Sequence, residues 1–190
     1  MGTTKDMHER AVAERFIDCY NQRHGTAYTY HYRTRGANRP DFIYLDGSRE
    51  MLLEVTGAYY DDKHAETLWQ SARDEPGAAQ EWKSEEPDRK LVEFVNERLR
   101  DKCGKPYPDG CILLLKLKPT ITTGQEFKQL ISEIRIRPGS PFAEIYIAGL
   151  FPMGSRGSPG GCNCWKVAKL RSDFCEDPGG FLLPFAQEGR

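Results

Sequence analysis

The stretch RPDFIYLDGSREMLLEVT, Arg39 to Thr56, decides how the rest of the chain is read. Two apolar runs flank Asp46-Gly47-Ser48, and an Asp-Gly step between such runs is a strong local signal for a β-hairpin. In the second run Met51, Leu53 and Val55 share one face of a strand, while Leu52, Glu54 and Thr56 share the other. The hairpin lets Asp41, at the head of the first strand, approach Glu54, near the end of the second. Two adjacent carboxylates repel, so they need protonation, a cation or separation into water. A divalent metal such as Mg²⁺ takes carboxylate oxygens, backbone carbonyls and retained waters. It can polarise a phosphate and lower the pKa of a bound water. The competing reading is plainer: Pro40-Asp41 is ordinary turn chemistry and Glu54 lies on a solvated face.

Outward from the hairpin, residues 6–24 read as a helix, because Val12, Phe16 and Tyr20, with Ala13 and Ile17 beside them, form one apolar stripe. Gly25 is its stop. AYTYHYR (27–33) alternates as a strand, and RGANRP then breaks the pattern. Residues 62–83 read as helical, broken near Pro76-Gly77. Residues 88–102 form a firmer helix with Leu91, Val92, Val95 and Leu99 on one face, capped by Ser84 or Asp88. CILLLKLK is a strand of the uninterrupted, buried type. Gln125 to Glu133 reads as a helix and AEIYIAGLF as another strand. PMGSRGSPGGCNC reads as a long loop, and WKVAKL as a last strand before an irregular end. Strands interleaved with helices imply an α/β or α+β layer fold around a mixed sheet. The core is expected over residues 1–151, with 152–190 a Gly/Pro-rich loop and C-terminal extension packed on the same domain.

The 190 residues fit one domain, and 38% hydrophobic residues suffice for a core. A formal net charge of -1 does not advertise nucleic-acid binding, but a local basic patch can act while acids elsewhere cancel it in the sum. The N-terminal MGTTKDMHERAVAERF carries charges where a signal peptide has an apolar core. The longest apolar run, Cys111 to Leu115, is too short to span a bilayer. The expectation is a soluble, cytoplasmic protein whose six cysteines are thiols. A structural zinc site would need four ligands. Cys162, Cys164 and Cys175 supply three in a CxC spacing, so Zn²⁺ there is the weaker reading against free thiols. Neither a GxxxxGK[ST] phosphate loop nor a GxSxG elbow is present.

Pro40-Asp41, a hairpin, and a strand ending Leu53-Glu54-Val55-Thr56, all after one helix and one strand, resemble the PD-(D/E)xK, or restriction endonuclease-like, nuclease superfamily. The likeness covers roughly residues 6–150 as element order, and its signature is short. It implies a three-layer α/β/α fold with a central mixed sheet. It also implies Mg²⁺- or Mn²⁺-dependent hydrolysis of nucleic acid, DNA favoured because most of the superfamily acts on it. Carried over by position, Asp41 and Glu54 would bind the metal with the carbonyl of Val55. Glu14 on the first helix would be a further carboxylate, with a solvated helix glutamate as its other reading. Superfamily members are often homodimers, although no residue here marks an interface.

The superfamily's lysine, two residues after the Glu, is replaced by Thr56. A hydroxyl can orient water or phosphate but carries no positive charge. Either a lysine from a nearby element, Lys63 or Lys83, takes its place, or the metal acts with less help, or the chain has lost catalysis. The last alternative leaves an inactive module that binds nucleic acid or a protein partner. Lys116 with Lys118, and Arg135 with Arg137, each two apart, could line a nucleic-acid groove or simply solvate the ends of a sheet.

Overall fold

The computed structural model describes residues 4–34, 36, 39–58, 87–117, 131–152 and 163–172. Helix α1 (Thr4–His24) leads into strands β1 (Thr29–Arg33), β2 (Phe42–Asp46) and β3 (Arg49–Ala58). Helix α2 (Pro87–Cys103), strand β4 (Ile112–Leu117), a 3₁₀ turn (Ile131–Glu133), β5 (Glu144–Pro152) and β6 (Asn163–Ser172) follow. The six strands form one sheet in sequence order. β1, β2 and β3 are antiparallel, β3, β4 and β5 run parallel, and β6 returns antiparallel. The chain is therefore α/β with a mixed sheet, as its pattern of runs implies.

The hairpin turns on Gly47-Ser48, with Asp46 opposite Arg49. Gly47 takes a φ of 60°, a left-handed conformation that favours glycine. Met51, Leu53 and Val55 join Val12, Ala13, Phe16 and Ile17 of α1 in one buried cluster. On the opposite face Leu91, Val95 and Leu99 of α2 pack on Leu113, Leu115, Ile145 and Ile147. The central sheet is thus covered by α1 on one side and α2 on the other. β4 feeds both faces and all six of its residues are buried, which explains its uninterrupted apolar run.

Helix α2 is described from Pro87, a residue suited to a first helical turn, and Ser84 lies outside the described residues. The helix expected over 125–133 is described only at its end, where Ile131–Glu133 is a 3₁₀ turn. β6 starts at Asn163, inside the segment read as loop. The segment 62–83, Cys162 and Cys175 lie outside the described residues. No described helix is long and apolar enough to cross a membrane.

Candidate active site

Register brings the two carboxylates together. Phe42 faces Leu53 across the hairpin, so one step further out Asp41 comes opposite Glu54. Asp41 is fixed there from two sides. Its carbonyl accepts from Thr34 N–H at 3.0 Å, and its Oδ2 accepts from Val55 N–H at 3.0 Å. Burial, and then the nearby Glu54 carboxylate, push the Asp41 carboxyl up to about 6, against the opposing pull of Val55 N–H, Lys102 and Arg33.

Glu54 is 4% exposed, a buried acid on the α2 face of the sheet. Its partner comes from that helix. Lys102 Nζ donates to Glu54 Oε1 at 2.5 Å, and Tyr107 O–H donates to the same oxygen at 3.0 Å. Burial and Glu54 together raise the Tyr107 phenol. The Tyr107 ring rests on Phe142, with centroids 4.8 Å apart, so the hydroxyl is held on a packed base.

The topology explains why Lys102 reaches Glu54. Glu54 is level with Leu113, near the start of β4. A helix joining two parallel strands runs back alongside them, so its last turn lies level with the start of the second strand. Lys102 is in that last turn. Arg98, four residues earlier, is about 6 Å back along the helix axis, roughly two residues of strand.

The other wall comes from β1 and α1. The β1–β2 register shifts between Tyr30 and Tyr32. One extra residue there reverses which face the following side chains take, and Arg33 stands opposite Phe42 on the α1 face, its guanidinium 5.2 Å from that ring. Arg33 meets Glu9 at 2.8 Å, Asp6 at 3.1 Å and Asp41 at 3.9 Å. Burial of this cation is thereby offset by three carboxylates on two elements.

These groups line a cavity of about 300 Å³ that also includes Lys5, His8, Thr56, Gly57, Arg98 and Lys116. Asp41, Glu54, Val55 and Thr56 are together in it. Glu14 is not: it pairs with Arg10 at 2.8 Å on the exposed side of α1. Glu9, which does line the cavity, is five residues from Glu14, about 140° of helical rotation. Lys63, Lys83 and Lys118 lie outside the described residues. Lys116 is 7% exposed, lies against His8 and lines this cavity, so it does not solvate the end of the sheet. Arg135 and Arg137 are exposed, follow the 3₁₀ turn and do not line the cavity.

Lys102, Arg33 and His8 were not singled out by the sequence reading. For Lys102 the usable signal was its place in the last turn before a parallel strand, not its distance from Glu54 along the chain. Among the described residues no group of three or more His, Cys, Asp or Glu could hold a metal ion. The oxygen donors Asp41 and Glu54, close enough for Glu54 to disfavour ionisation of Asp41, suit a hard cation that keeps several waters and needs only one or two carboxylates. No protein-family model, no curated protein and no solved structure matches this chain.

Proposed function

We propose that this protein is a metal-dependent nuclease of the restriction endonuclease-like type, hydrolysing nucleic-acid phosphodiester bonds with DNA favoured. The observation that carries the reading is the Lys102 ammonium on Glu54, with Asp41 opposite, in one polar cavity. Two acids and a lysine are the groups that this chemistry needs, and Thr56 need not supply the charge if Lys102 does. The order of one helix, three antiparallel strands, a helix and a parallel strand supports the same assignment.

Asp41, Glu54 and the Val55 carbonyl would hold Mg²⁺ or Mn²⁺. When bound, the ion polarises the scissile phosphate and lowers the pKa of a coordinated water. Val55 N–H fixes the Asp41 carboxylate, and Tyr107 fixes that of Glu54. The Lys102 and Tyr107 bonds both fall on Oε1. An ammonium has no lone pair to take a proton. Lys102 therefore acts by steadying negative charge as it develops on the phosphate. The Thr56 hydroxyl, two residues from Glu54 on the same strand face, orients the attacking water.

A second reading is a non-catalytic module that binds nucleic acid or protein. It is favoured by the cations already beside both acids, Lys102 on Glu54 and Arg33 near Asp41. The deciding experiment is Mg²⁺ and Mn²⁺ titration of wild type, Asp41→Ala and Glu54→Ala, with cleavage of mixed DNA and RNA substrates read in the same samples. The nuclease reading expects metal-dependent cleavage that both substitutions abolish. Metal binding without cleavage of any substrate, or cleavage that survives both substitutions, sinks it.

A further inference from the structure

Helix α2 brings two cations to the cavity, Lys102 and Arg98. Four residues apart, they share one side of the helix. Lys102 is paired with Glu54. Arg98 differs: among the described residues its guanidinium has no hydrogen bond and no ion pair. Asp101, about one turn further on, is held by Lys105 at 2.8 Å. The cavity acids are engaged as well, Asp41 by Val55 N–H and Glu54 by Lys102 and Tyr107. Arg98 is nevertheless half-buried. Arginine is seldom taken out of water without a partner, so a half-buried guanidinium beside a polar cavity leaves a place for an anion.

β3 supplies a second donor at the same height. Thr56 follows Glu54 on the α2 face of that strand, about 6.5 Å further along it. It is level with Leu115 of β4, as Glu54 is level with Leu113. α2 runs back along these strands, and the step from Lys102 to Arg98 is about 6 Å in the same direction. Lys102 and Glu54 thus form one rung of the cavity, and Arg98 and Thr56 stand at the next, on the same side of the sheet. Both line the cavity, and among the described residues the Thr56 hydroxyl also has no hydrogen-bond partner. A guanidinium gives two parallel N–H bonds to phosphate oxygens, and a hydroxyl can give a third. Having donated its one proton, the hydroxyl can still accept from the attacking water.

We propose that Arg98 and Thr56 together hold a phosphate of the nucleic-acid strand on the α2 side of the cavity, beside the acid pair. The identity of the ligand rests on the nuclease reading, whereas the place for an anion rests on Arg98 and Thr56 themselves.

The test is binding, not turnover: fluorescence anisotropy of a labelled single-stranded oligonucleotide, without metal, over a series of salt concentrations. Wild type is compared with Arg98→Gln, Arg98→Lys, Thr56→Val and Arg100→Gln. Arg100 is exposed on the same helix and does not line the cavity, so its variant removes an equal charge elsewhere. Each lost phosphate contact lowers the salt slope by about 0.7 for a single strand. Arg98→Gln should show that drop and bind about tenfold more weakly. Arg98→Lys should keep the slope, because the charge remains, yet bind about fivefold more weakly without the paired bonds. Thr56→Val should also lose about fivefold at an unchanged slope, because the bond it removes is uncharged. Arg100→Gln should match wild type. Melting curves identify a variant that fails to fold. If Arg98→Gln does, Arg98→Lys carries the test, and wild-type affinity in it overturns the site. An unchanged slope in folded Arg98→Gln overturns it too, even if wild type cleaves with metal. So does an equal drop in Arg100→Gln, the mark of diffuse charge, and so does unchanged affinity in Thr56→Val. A slope that falls in Arg98→Gln alone, while wild type shows no metal-dependent cleavage, upholds the site and sinks the nuclease reading. No binding by wild type overturns the site alone, because the metal titration still decides the nuclease reading.

Discussion

Lys102 donates to Glu54 across 2.5 Å although the two stand 48 positions apart in the chain. Their side chains are 17% and 5% exposed, so removing the cation strands a buried charge, a loss of about 3 kcal/mol. Lys102→Met should therefore melt well below wild type without metal. A divalent ion at Glu54 would replace the missing charge, so Mg²⁺ should raise the variant's Tm more than the wild type's. Cleavage should fall by about two to four orders of magnitude. Thermal melts with and without Mg²⁺, beside single-turnover cleavage, check both. Equal Mg²⁺ shifts in the two proteins would separate Lys102 from any metal site.

Asp41 carries an opposite signature. Its carboxyl ordinarily titrates near 3.8 and is pushed up to about 6 by burial and by Glu54. Between those values the folded chain holds a proton that the unfolded chain has released. The contribution of this group to stability is thus greatest at low pH and declines as pH rises through about 6. Asp41→Asn keeps an oxygen for Val55 N–H and removes the charge. It should be more stable than wild type at pH 8, by about 3 kcal/mol, and the difference should nearly vanish near pH 4. Denaturant unfolding at a series of pH values measures this. A variant less stable than wild type at pH 8 would contradict it. Loss of cleavage together with gain of stability is the trade expected of an active-site acid.

How much of this was written in the sequence depends on the range of each interaction. The hairpin, α1 and α2 were legible because their signals are local: Asp46-Gly47, and apolar residues at helical spacing along Val12–Ile17 and Leu91–Leu99. The Asp41–Glu54 pairing was legible because a short turn fixes register. Lys102 was not, since its neighbours Arg98, Arg100 and Asp101 read as an ordinary solvated helix end. Arg33 was hidden by the extra residue between Tyr30 and Tyr32, which changes its face and leaves no mark in the alternation. Glu14 was named only through the resemblance, whereas Glu9, about 140° round the helix, is the one that lines the cavity.

Tyr107 tests whether Glu54 needs a second donor. Tyr107→Phe deletes the hydroxyl that donates to Oε1 and keeps the ring on Phe142. The Lys102 bond remains, so stability should fall by only about 1 kcal/mol, within the range of one hydrogen bond. If the phenol positions the carboxylate, cleavage should fall about tenfold through kcat, with KM unchanged. A change in KM alone would make Tyr107 a substrate contact instead.

Arg33 joins α1 to the hairpin through Asp6, Glu9 and Asp41. Arg33→Gln leaves three carboxylates facing one another without their shared cation, at a cost of about 2 kcal/mol. The midpoint of urea unfolding should drop with its slope unchanged, because the surface exposed on unfolding is the same. The Asp41 carboxyl should move higher still, since Arg33 now pulls it down. Arg33→Lys should restore only part of the loss. A lysine presents a single ammonium on a flexible stem and cannot span three acids as the planar fork does. Full rescue by lysine would mean that charge alone matters here and that the shifted strand register is not needed to aim a guanidinium.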